Sequence, residues 1–445
     1  MLKRLANLKV RTWLVIVTVI AVLERACLFI FYRPVSYNDT AGYRRSAEAI
    51  MNGWKLYDGT RLPGYPLFLM IAGPDERAYL AQVILGVGTT ILFFYIGWRI
   101  SGKGWFAAAA ALAHTLNLQQ LFFEADLISE CLATFFVVLA LAAAASLFTA
   151  HDATPPWKIL SLALWGGLAC AGAALVRPLF IFLPLAAAIF TLFFWRVRPG
   201  IRWGAVLVTG LVSLALIGSW VNFLHQRFGR WGLDTMTGYH LVQHTGAFFE
   251  FVPDQYAAIR DTYIQYRDER IAQTGAPGNT IWDAIPALEQ VSGLGFYDLS
   301  DVLVKISLQL IREHPGLYLR SAWQGWLWFW KSPVYWSAGN ISNPLAASLV
   351  GKLLLVERGG LLLANLCFLM GTLTLLWQKF RKTFRMDVFL WFVTASIWLT
   401  SILQTLPDHG DNPRFSVPIQ SMVVFIVLWW VVRSVNGISE ARKRI

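Results

Sequence analysis

The feature that most constrains this chain is a succession of apolar runs, each about 20 residues long. A helix of that length crosses the hydrocarbon core of a bilayer, which is about 30 Å thick. Lipid offers no hydrogen-bond partners, so only helices and closed barrels can cross it, and continuous apolar runs select helices. The composition agrees, because 56% of the 445 residues are hydrophobic and only 14% are charged. The sequence therefore predicts an all-α polytopic membrane protein.

The apolar runs define ten predicted spans, with twelve as the alternative. The spans cover residues 12–32, 78–100, 105–123, 127–149, 159–176, 179–195, 203–223, 352–377, 387–406 and 417–432. A further segment, 318–336, contains five tryptophans, which are typical of the headgroup region. We interpret this segment as an interfacial or re-entrant helix, because counting it as one more span would place a basic cluster outside.

Lysine and arginine residues are clustered at alternate ends of the spans. The clusters lie in the N-terminal stretch and at residues 99–103, 158, 196–202, 379–385 and 442–444. Cytoplasmic loops carry an excess of these residues, so we predict that both termini are cytoplasmic. The net charge of +12 is then a topology signal, and it does not indicate nucleic-acid binding.

This layout predicts three regions. Residues 1–223 form an N-terminal transmembrane module that contains the first outer loop, 33–77. Residues 224–351 form a small helical subdomain on the outer side, with the Trp-rich interfacial helix, and residues 352–445 supply the C-terminal transmembrane helices. Acidic residues and short sequence motifs are concentrated in the outer loops, which indicates a functional site on the outer face of the membrane.

The first outer loop contains two candidate groups. Asp39 lies near the start of a helix predicted over 40–52, where the helix dipole favours a negative charge and the carboxylate could act as a general base. A structural role for Asp39 as a helix cap is the alternative. The rigid run Arg61-Leu62-Pro63-Gly64-Tyr65-Pro66 suits a lipid phosphate held by Arg61, or else forms an interfacial turn anchored by Tyr65.

A second acidic cluster comprises Glu124, Asp126 and Glu130 on the same side. Glu130 would lie just inside the fourth span, where a carboxylate needs a partner. It could hold the acceptor, pair with an arginine or join a divalent metal, and a buried structural pair explains it equally well. The run Glu124-Ala125-Asp126 only approximates the Asp-x-Asp motif of metal-dependent transferases.

Arg177 and Arg414 are candidate phosphate ligands, because each lies beside a proline at an outer boundary and a guanidinium matches phosphate geometry. The alternative is that they reach towards lipid headgroups. His240 and His244 are four residues apart, which places both on one helix face, but no further zinc ligands are evident. Glu124, Asp126 and these two histidines are therefore weak metal candidates, and a divalent cation (Mg²⁺ or Mn²⁺) is an open expectation.

Taken in order, these motifs resemble the GT-C superfamily of membrane glycosyltransferases. The similarity is greatest to the branch of protein O-mannosyltransferases and lipid A aminoarabinose transferases. It covers nearly the whole chain, and its specificity comes from the order of the motifs and their placement on one face. The matching positions are Arg25, Asp39, Tyr43, Gly53, the Arg61–Leu67 run, Ser129-Glu130, Arg177-Pro178, His314-Pro315 and Asn412-Pro413-Arg414-Phe415.

The resemblance implies an inverting glycosyltransferase of the cell envelope that works on the outer face of a bacterial inner or plasma membrane. Its donor would be a sugar on a polyprenyl monophosphate, and its acceptor a glycan, a lipid or a protein. The family's general base maps onto Asp39, and we add Glu130 as a second catalytic candidate. The substrate-binding candidates are Tyr43, Arg61, Tyr65, Asp126, Arg177 and Arg414.

Two other functions remain open. One is an enzyme resembling O-antigen ligases or polymerases, which use a pyrophosphate-linked donor. The other is a flippase or transporter of lipid-linked sugars, although the internal repeats typical of transporters are not evident. The transferase hypothesis requires Asp39, Arg177 and Arg414 to converge in one cavity at the outer membrane surface.

Overall fold

The computed structural model describes residues 8–332, 335–380, 387–408 and 413–442. The first basic residues of the N-terminal stretch, most of the 379–385 cluster, the last residues of the 442–444 cluster and Asn412 lie outside these ranges. The described chain is almost entirely helical. Two isolated β-bridges, Tyr32–Ile341 and Val35–Asp126, join segments between helices.

Eighteen α-helices and five 3-10 helices follow one another along the described residues. The first ten helices are α1 (Val10–Phe31), α2 (Asn38–Met51), α3 (Gly64–Ala72), α4 (Asp75–Ser101), α5 (Gly104–Thr115), α6 (Leu118–Ala125), α7 (Glu130–Phe148), α8 (Pro156–Val176), α9 (Leu183–Phe193) and α10 (Pro199–Phe228). The others are α11 (Thr237–Thr245), α12 (Ala257–Thr274), α13 (Thr280–Ser292), α14 (Phe296–Glu313), α15 (Pro315–Phe329), α16 (Pro344–Phe380), α17 (Val388–Thr405) and α18 (Val417–Arg442). The 3-10 helix Pro178–Phe182 lies between α8 and α9, and the other four are Gly246–Phe251, Asp254–Tyr256, Ala338–Asn340 and Pro413–Ser416.

Eight of the described helices are long and apolar enough to cross a membrane. They are α1, α4, α7, α8, α10, α16, α17 and α18, and each corresponds to one of the ten predicted spans. The protein is therefore an all-α polytopic integral membrane protein, as the apolar runs predict.

The two other predicted spans are divided. The span predicted over 105–123 breaks between α5 and α6, where the Asn117 side chain accepts a hydrogen bond from Gln120 N at 3.1 Å. The Glu357 carboxylate accepts two more from the first two N–H groups of α6, at 2.8 and 2.9 Å. These side chains accept hydrogen bonds from the free N–H groups at the start of α6, so a new helix can begin inside an apolar sequence. The span predicted over 179–195 consists of a 3-10 turn and the 11-residue α9.

The chain forms two compact units. The first comprises residues 1–222, 332–399 and 417–445, and the second comprises residues 223–331 and 400–416. The predicted outer subdomain, 224–351, shares residues 224–331 with the second unit, which also takes in 400–416. Its core packs α11 to α14 around buried apolar side chains such as Tyr239, Leu288 and Leu303.

The Trp-rich helix α15 belongs to the second unit and begins at Pro315, directly after His314. It has 15 residues, or about 22 Å at the α-helical rise, which is shorter than a hydrocarbon core of about 30 Å. Trp323 and Trp326 stack with their ring centroids 5.0 Å apart, and the Trp326 indole donates to the Ser401 hydroxyl at 3.3 Å. This length fits the interpretation of an interfacial helix.

A buried ion pair joins α1 to α6 in the first unit. Arg25 Nε and Nη2 donate to the Glu124 carboxylate at 2.8 and 2.5 Å, and Nη1 donates to the Thr115 hydroxyl at 2.6 Å. The carboxylate of the neighbouring Glu24 lies 3.7 Å from Arg25 Nη1 and is a second, more distant partner. Consecutive residues of a helix do not face each other, so the main partner of Arg25 comes from another helix.

Gly86 on α4 makes room for the Glu124 carboxylate. A Cβ at this position would lie 2.2 Å from the carboxylate atoms. We expect Gly86→Ala to push Glu124 off Arg25 and to lower the free energy of unfolding by about 1–3 kcal/mol, as overpacking does. The measurement is thermal unfolding of the detergent-solubilised protein.

Gly210→Ala on α10 is the matched control, since a Cβ there meets nothing within 4 Å. Alanine favours helix over glycine, so this variant should unfold no earlier than the parent. Equal melting temperatures for the two variants would contradict the proposed clash.

Candidate active site

Asp39 lies in the first turn of α2, two residues after the N-cap residue Tyr37. The neighbouring Thr40 hydroxyl accepts a hydrogen bond from Tyr37 N at 2.9 Å and donates one to Leu127 O at 2.9 Å. It thereby caps the start of α2 and ties it to the segment before α7. The Asp39 carboxylate accepts a hydrogen bond from Arg61 Nη2 at 2.8 Å. The helix N-terminus and a guanidinium thus both place positive charge beside Asp39.

Arg61 is held between Asp39 and two residues of α2. Its Cζ lies 5.0 Å from the centroid of the Tyr43 ring, within the range of a cation–π contact. A Cβ at Gly42 would lie 3.0 Å from Arg61 Nε, so the glycine allows this close approach. The side chains of Asp39 and Arg61 are 23% and 24% exposed, which leaves both groups accessible to a ligand.

The predicted rigid loop is docked against α8. A Cβ at Gly64, the first residue of α3, would lie 2.7 Å from Leu175 O, so only glycine fits there. Leu175 precedes Arg177 by two residues, and the loop that carries Arg61 is therefore fixed close to the end of α8 that carries Arg177. Packing of the loop on α8 explains its Pro-Gly sequence better than an interfacial turn does.

Tyr65 lies beneath the site and supports it. Its side chain is fully buried, its hydroxyl donates to Gln82 Oε1 at 2.9 Å, and its ring packs against Tyr43 with centroids 4.8 Å apart. Burial raises the pKa of Tyr65 well above its ordinary value, so the phenol stays protonated and keeps its donor. The sequence assigned Tyr65 to substrate binding, but it presents no surface to a ligand, because α3 turns the ring towards α4.

A second carboxylate–guanidinium pair lies next to the first. Arg177 Nη1 donates to Glu130 Oε1 at 2.7 Å, and both side chains are buried. Of the roles open to Glu130, pairing with an arginine is the one observed. Ser129 precedes Glu130, and its hydroxyl accepts from the Tyr43 hydroxyl at 3.2 Å. Tyr43 and Ser129 therefore connect the Asp39–Arg61 pair to the Glu130–Arg177 pair.

The remaining acidic candidates have different surroundings. The Glu124 carboxylate is engaged by Arg25, as described above. Asp126 is fully buried and faces the phenol of Tyr37, whose pKa is raised first by burial and then by the Asp126 charge. The backbone carbonyls of Glu124 and Asp126 both accept from the Gln82 side-chain amide at 2.9 Å. A metal-binding role for either carboxylate stays a prediction.

Arg414, His240 and His244 belong to the second unit. Arg414 Cζ lies 5.6 Å from the Phe415 ring centroid, His240 Nδ1 lies 3.2 Å from Asp408 Oδ2, and the buried His244 Nδ1 lies 2.9 Å from the Ser321 hydroxyl. Within the described ranges, no three His, Cys, Asp or Glu side chains are grouped as metal ligands. A divalent cation and the convergence of Arg414 with Asp39 both stay predictions.

Gln82 is a supporting residue of this site that the sequence analysis did not name. It lies in the first third of the apolar helix α4, and a polar side chain there needs partners. The need for a partner could be predicted from the sequence. The partners themselves could not, because Tyr65, Glu124 and Asp126 are 17 to 44 residues away.

Comparison with known proteins supports the fold. No family model and no curated protein matches the chain. Its fold is similar to that of the archaeal oligosaccharyltransferase AglB from Archaeoglobus fulgidus, solved with an inhibitory peptide and a dolichol-phosphate, with a TM-score of 0.52 and 13% sequence identity. The match covers 98% of this chain and 52% of AglB, so this chain spans about half the length of that protein. This likeness concerns the fold alone and indicates neither a family nor an activity for this chain.

The Tyr65–Gln82 hydrogen bond can be tested by a double-mutant cycle. We expect Tyr65→Phe to lower the free energy of unfolding by about 1–3 kcal/mol, because a buried acceptor on Gln82 loses its donor. The same change in a Gln82→Leu background should cost clearly less, since no acceptor remains to be stranded. Thermal unfolding in detergent measures the effect of Tyr65→Phe in each background. Equal losses of stability in the parent and in Gln82→Leu would rule out an energetic coupling between the two side chains.

Proposed function

We propose that this protein is an inverting glycosyltransferase that moves a sugar from a polyprenyl-monophosphate donor to an acceptor at the outer membrane surface. The observation that carries the proposal is the accessible Asp39–Arg61 ion pair, with a second pair, Glu130–Arg177, connected to it. In this proposal Asp39 is the base, and Arg61 and Arg177 are the phosphate ligands. AglB, a protein of similar fold, was solved with a dolichol-phosphate, and this supports a lipid-phosphate donor here.

The reaction needs one proton acceptor and a stabilised leaving group. The acceptor hydroxyl attacks the anomeric carbon of the donor and gives its proton to the Asp39 carboxylate. The bond between the anomeric carbon and the phosphate oxygen breaks, and its electron pair leaves with the polyprenyl phosphate. Arg61 and Arg177 stabilise the charge that develops on this phosphate. A single displacement of this kind inverts the anomeric configuration.

The ion pairs suggest how the donor prepares the base. Arg61 forms an ion pair with Asp39, and a donor phosphate that binds Arg61 would compete with Asp39 for the same guanidinium. Asp39 then turns to the acceptor hydroxyl, while Glu130 keeps Arg177 oriented from the buried side. Glu130 is in this view a positioning residue. A divalent cation would add positive charge to the same region, and its contribution is measured by adding EDTA or Mg²⁺.

The outer face is the side of the membrane that we propose for this site. The loops that contribute Asp39, Arg61 and Arg177 lie opposite the basic clusters at residues 99–103 and 196–202. The positive-inside rule then makes those clusters cytoplasmic and the site external. Such a location suits envelope glycan synthesis in a bacterial plasma membrane.

Asp39→Asn tests the role of the base. We expect transfer to fall by about 10²–10⁴-fold, because an amide cannot take the proton. The measurement is transfer from a labelled sugar on polyprenyl monophosphate in proteoliposomes. The control is Glu48→Gln, which neutralises an exposed carboxylate on the same helix and should leave transfer unchanged.

Two further arms separate the alternatives. A pyrophosphate-linked donor replaces the monophosphate in one arm, and translocation of the labelled lipid is followed in the other. Undiminished transfer by a correctly folded Asp39→Asn variant removes Asp39 from the mechanism. Preference for the pyrophosphate, or lipid translocation without product, contradicts the proposed donor or the proposed transferase activity.

A further inference from the structure

Three aromatic side chains of the first unit are packed together where α2 ends. Trp54 and Tyr57 come from the loop after α2, and Trp220 comes from the C-terminal half of α10. The ring centroids are 5.3 Å apart for Trp54 and Tyr57, 5.9 Å for Trp54 and Trp220, and 5.6 Å for Tyr57 and Trp220. Tyr57 and Trp220 are buried, whereas Trp54 is partly exposed. These three residues, the aromatic cluster, therefore present the Trp54 ring on a buried aromatic base.

The backbone of Trp54 is strained. Gly53 N donates to Ile50 O at 3.1 Å, and Trp54 N donates to Ala49 O at 2.7 Å, so α2 ends in a Schellman motif. This motif needs a left-handed residue at Gly53, whose φ is 69°, but Trp54 follows with a φ of 67°. A bulky residue seldom adopts that conformation, and glycine would adopt it at lower cost. The backbone favours glycine at this position, so the reason for a tryptophan lies in its side chain.

The aromatic cluster is continuous with the candidate active site. The Tyr57 hydroxyl donates to the backbone carbonyl of Arg61, whose guanidinium binds Asp39. Trp54 is bonded to Ala49, which follows Asp39 by ten residues, or about 15 Å along an α-helix. This distance is longer than one sugar ring. A ligand that reaches both Asp39 and the aromatic cluster must therefore consist of more than one sugar unit.

The surroundings of Trp54 fit a ligand that comes from water. Its neighbours Asn52, Lys55 and Leu56 are exposed, and on the proposed topology they lie on the outer side of the membrane. One side of a pyranose ring consists of C–H groups, which pack on the electron-rich face of an indole while the hydroxyl groups of the sugar stay hydrated. A partly exposed indole on a buried aromatic base therefore suits a sugar ring.

We propose that Trp54, supported by Tyr57 and Trp220, stacks on a pyranose ring of a glycan acceptor, at least one sugar unit away from the hydroxyl that reacts at Asp39. This inference rests on the function proposed above. In that function the donor carries its sugar directly on the phosphate at Arg61, so the long ligand is the acceptor. Of the glycan, lipid and protein acceptors, the aromatic cluster selects the glycan.

Trp54→Gly tests this assignment, because it removes the ring and suits the left-handed backbone. The acceptors are mannotriose, maltotriose and chitotriose, each compared with its methyl monosaccharide. We expect the KM for the trisaccharide that accepts sugar to rise by about five- to tenfold, the effect of one lost aromatic contact. The KM for the monosaccharide, the KM for the donor and kcat should not change. Trp54→Tyr keeps a ring and should restore the KM.

Leu56→Ala is the matched control, since Leu56 is an apolar residue of the same loop and is 81% exposed. It should leave every KM unchanged. An equal rise in Leu56→Ala would show that the loop only anchors the protein in the membrane surface, and it would overturn the assignment. An equal rise for the monosaccharide in Trp54→Gly, or no recovery in Trp54→Tyr, would do the same. Thermal unfolding shows whether the variants fold as the parent does.

A binding measurement separates failure of this assignment from failure of the proposed function. The protein is labelled with 5-fluorotryptophan in lipid nanodiscs, and the fluorine resonance of Trp54 is identified by its absence in Trp54→Tyr. A saturable shift of this resonance by one of the trisaccharides, but not by its methyl monosaccharide, supports the site even if no transfer occurs. No shift with any trisaccharide, or an equal shift with the polyprenyl-phosphate-linked sugar alone, refutes the proposal. Absence of transfer from every donor refutes the proposed function instead.

Discussion

The ion pair between Arg25 and Glu124 fixes the segment on which the candidate site is assembled. Glu124 begins a stretch of four residues whose backbone bonds reach three other parts of the first unit. Val35 pairs with this stretch through Ala125 O and Leu127 N, at 3.0 and 2.9 Å. Thr40 binds Leu127 O, and Gln82 binds the carbonyls of Glu124 and Asp126. In apolar surroundings an arginine and a carboxylate hold each other firmly, because separation would leave either charge without a partner.

The candidate site consists of charges that neutralise each other. Each of its two arginines faces one carboxylate. Arg61, from a loop, pairs with the partly exposed Asp39, and Arg177, at the end of α8, pairs with the buried Glu130. An anionic ligand can replace the carboxylate on an arginine without stranding a positive charge. The more exposed pair, Asp39–Arg61, is the one that can open, whereas the buried Glu130–Arg177 pair keeps its geometry. This difference in exposure is the basis for the separate tasks that we propose for the two carboxylates.

Hydropathy predicted the fold well because membrane helices depend on local composition. Eight of the ten predicted spans are single long helices, and one miss, at residues 105–123, depends on Glu357, which lies more than 200 residues away. The site was predicted only in part. Asp39 and Arg61 could be named as candidates from local motifs, but their contact joins residues 22 apart, and the partners of Arg25 and Arg177 are 99 and 47 residues away. The burial of Tyr65 depends on the docking of α3, which no local pattern encodes.

The break between α5 and α6 also sets an order of assembly. The N-terminus of α6 is completed by Glu357 from α16, and the Gln120 side chain donates to Val417 O at the start of α18. Both partners are synthesised long after α6 itself has left the ribosome. Until the last spans are inserted, the backbone groups at residues 118 and 119 lack the carboxylate that satisfies them. The support of the candidate site is therefore complete only when the C-terminal helices are in place, and a truncated nascent chain would carry Asp39, Arg61, Glu130 and Arg177 on an unfinished support.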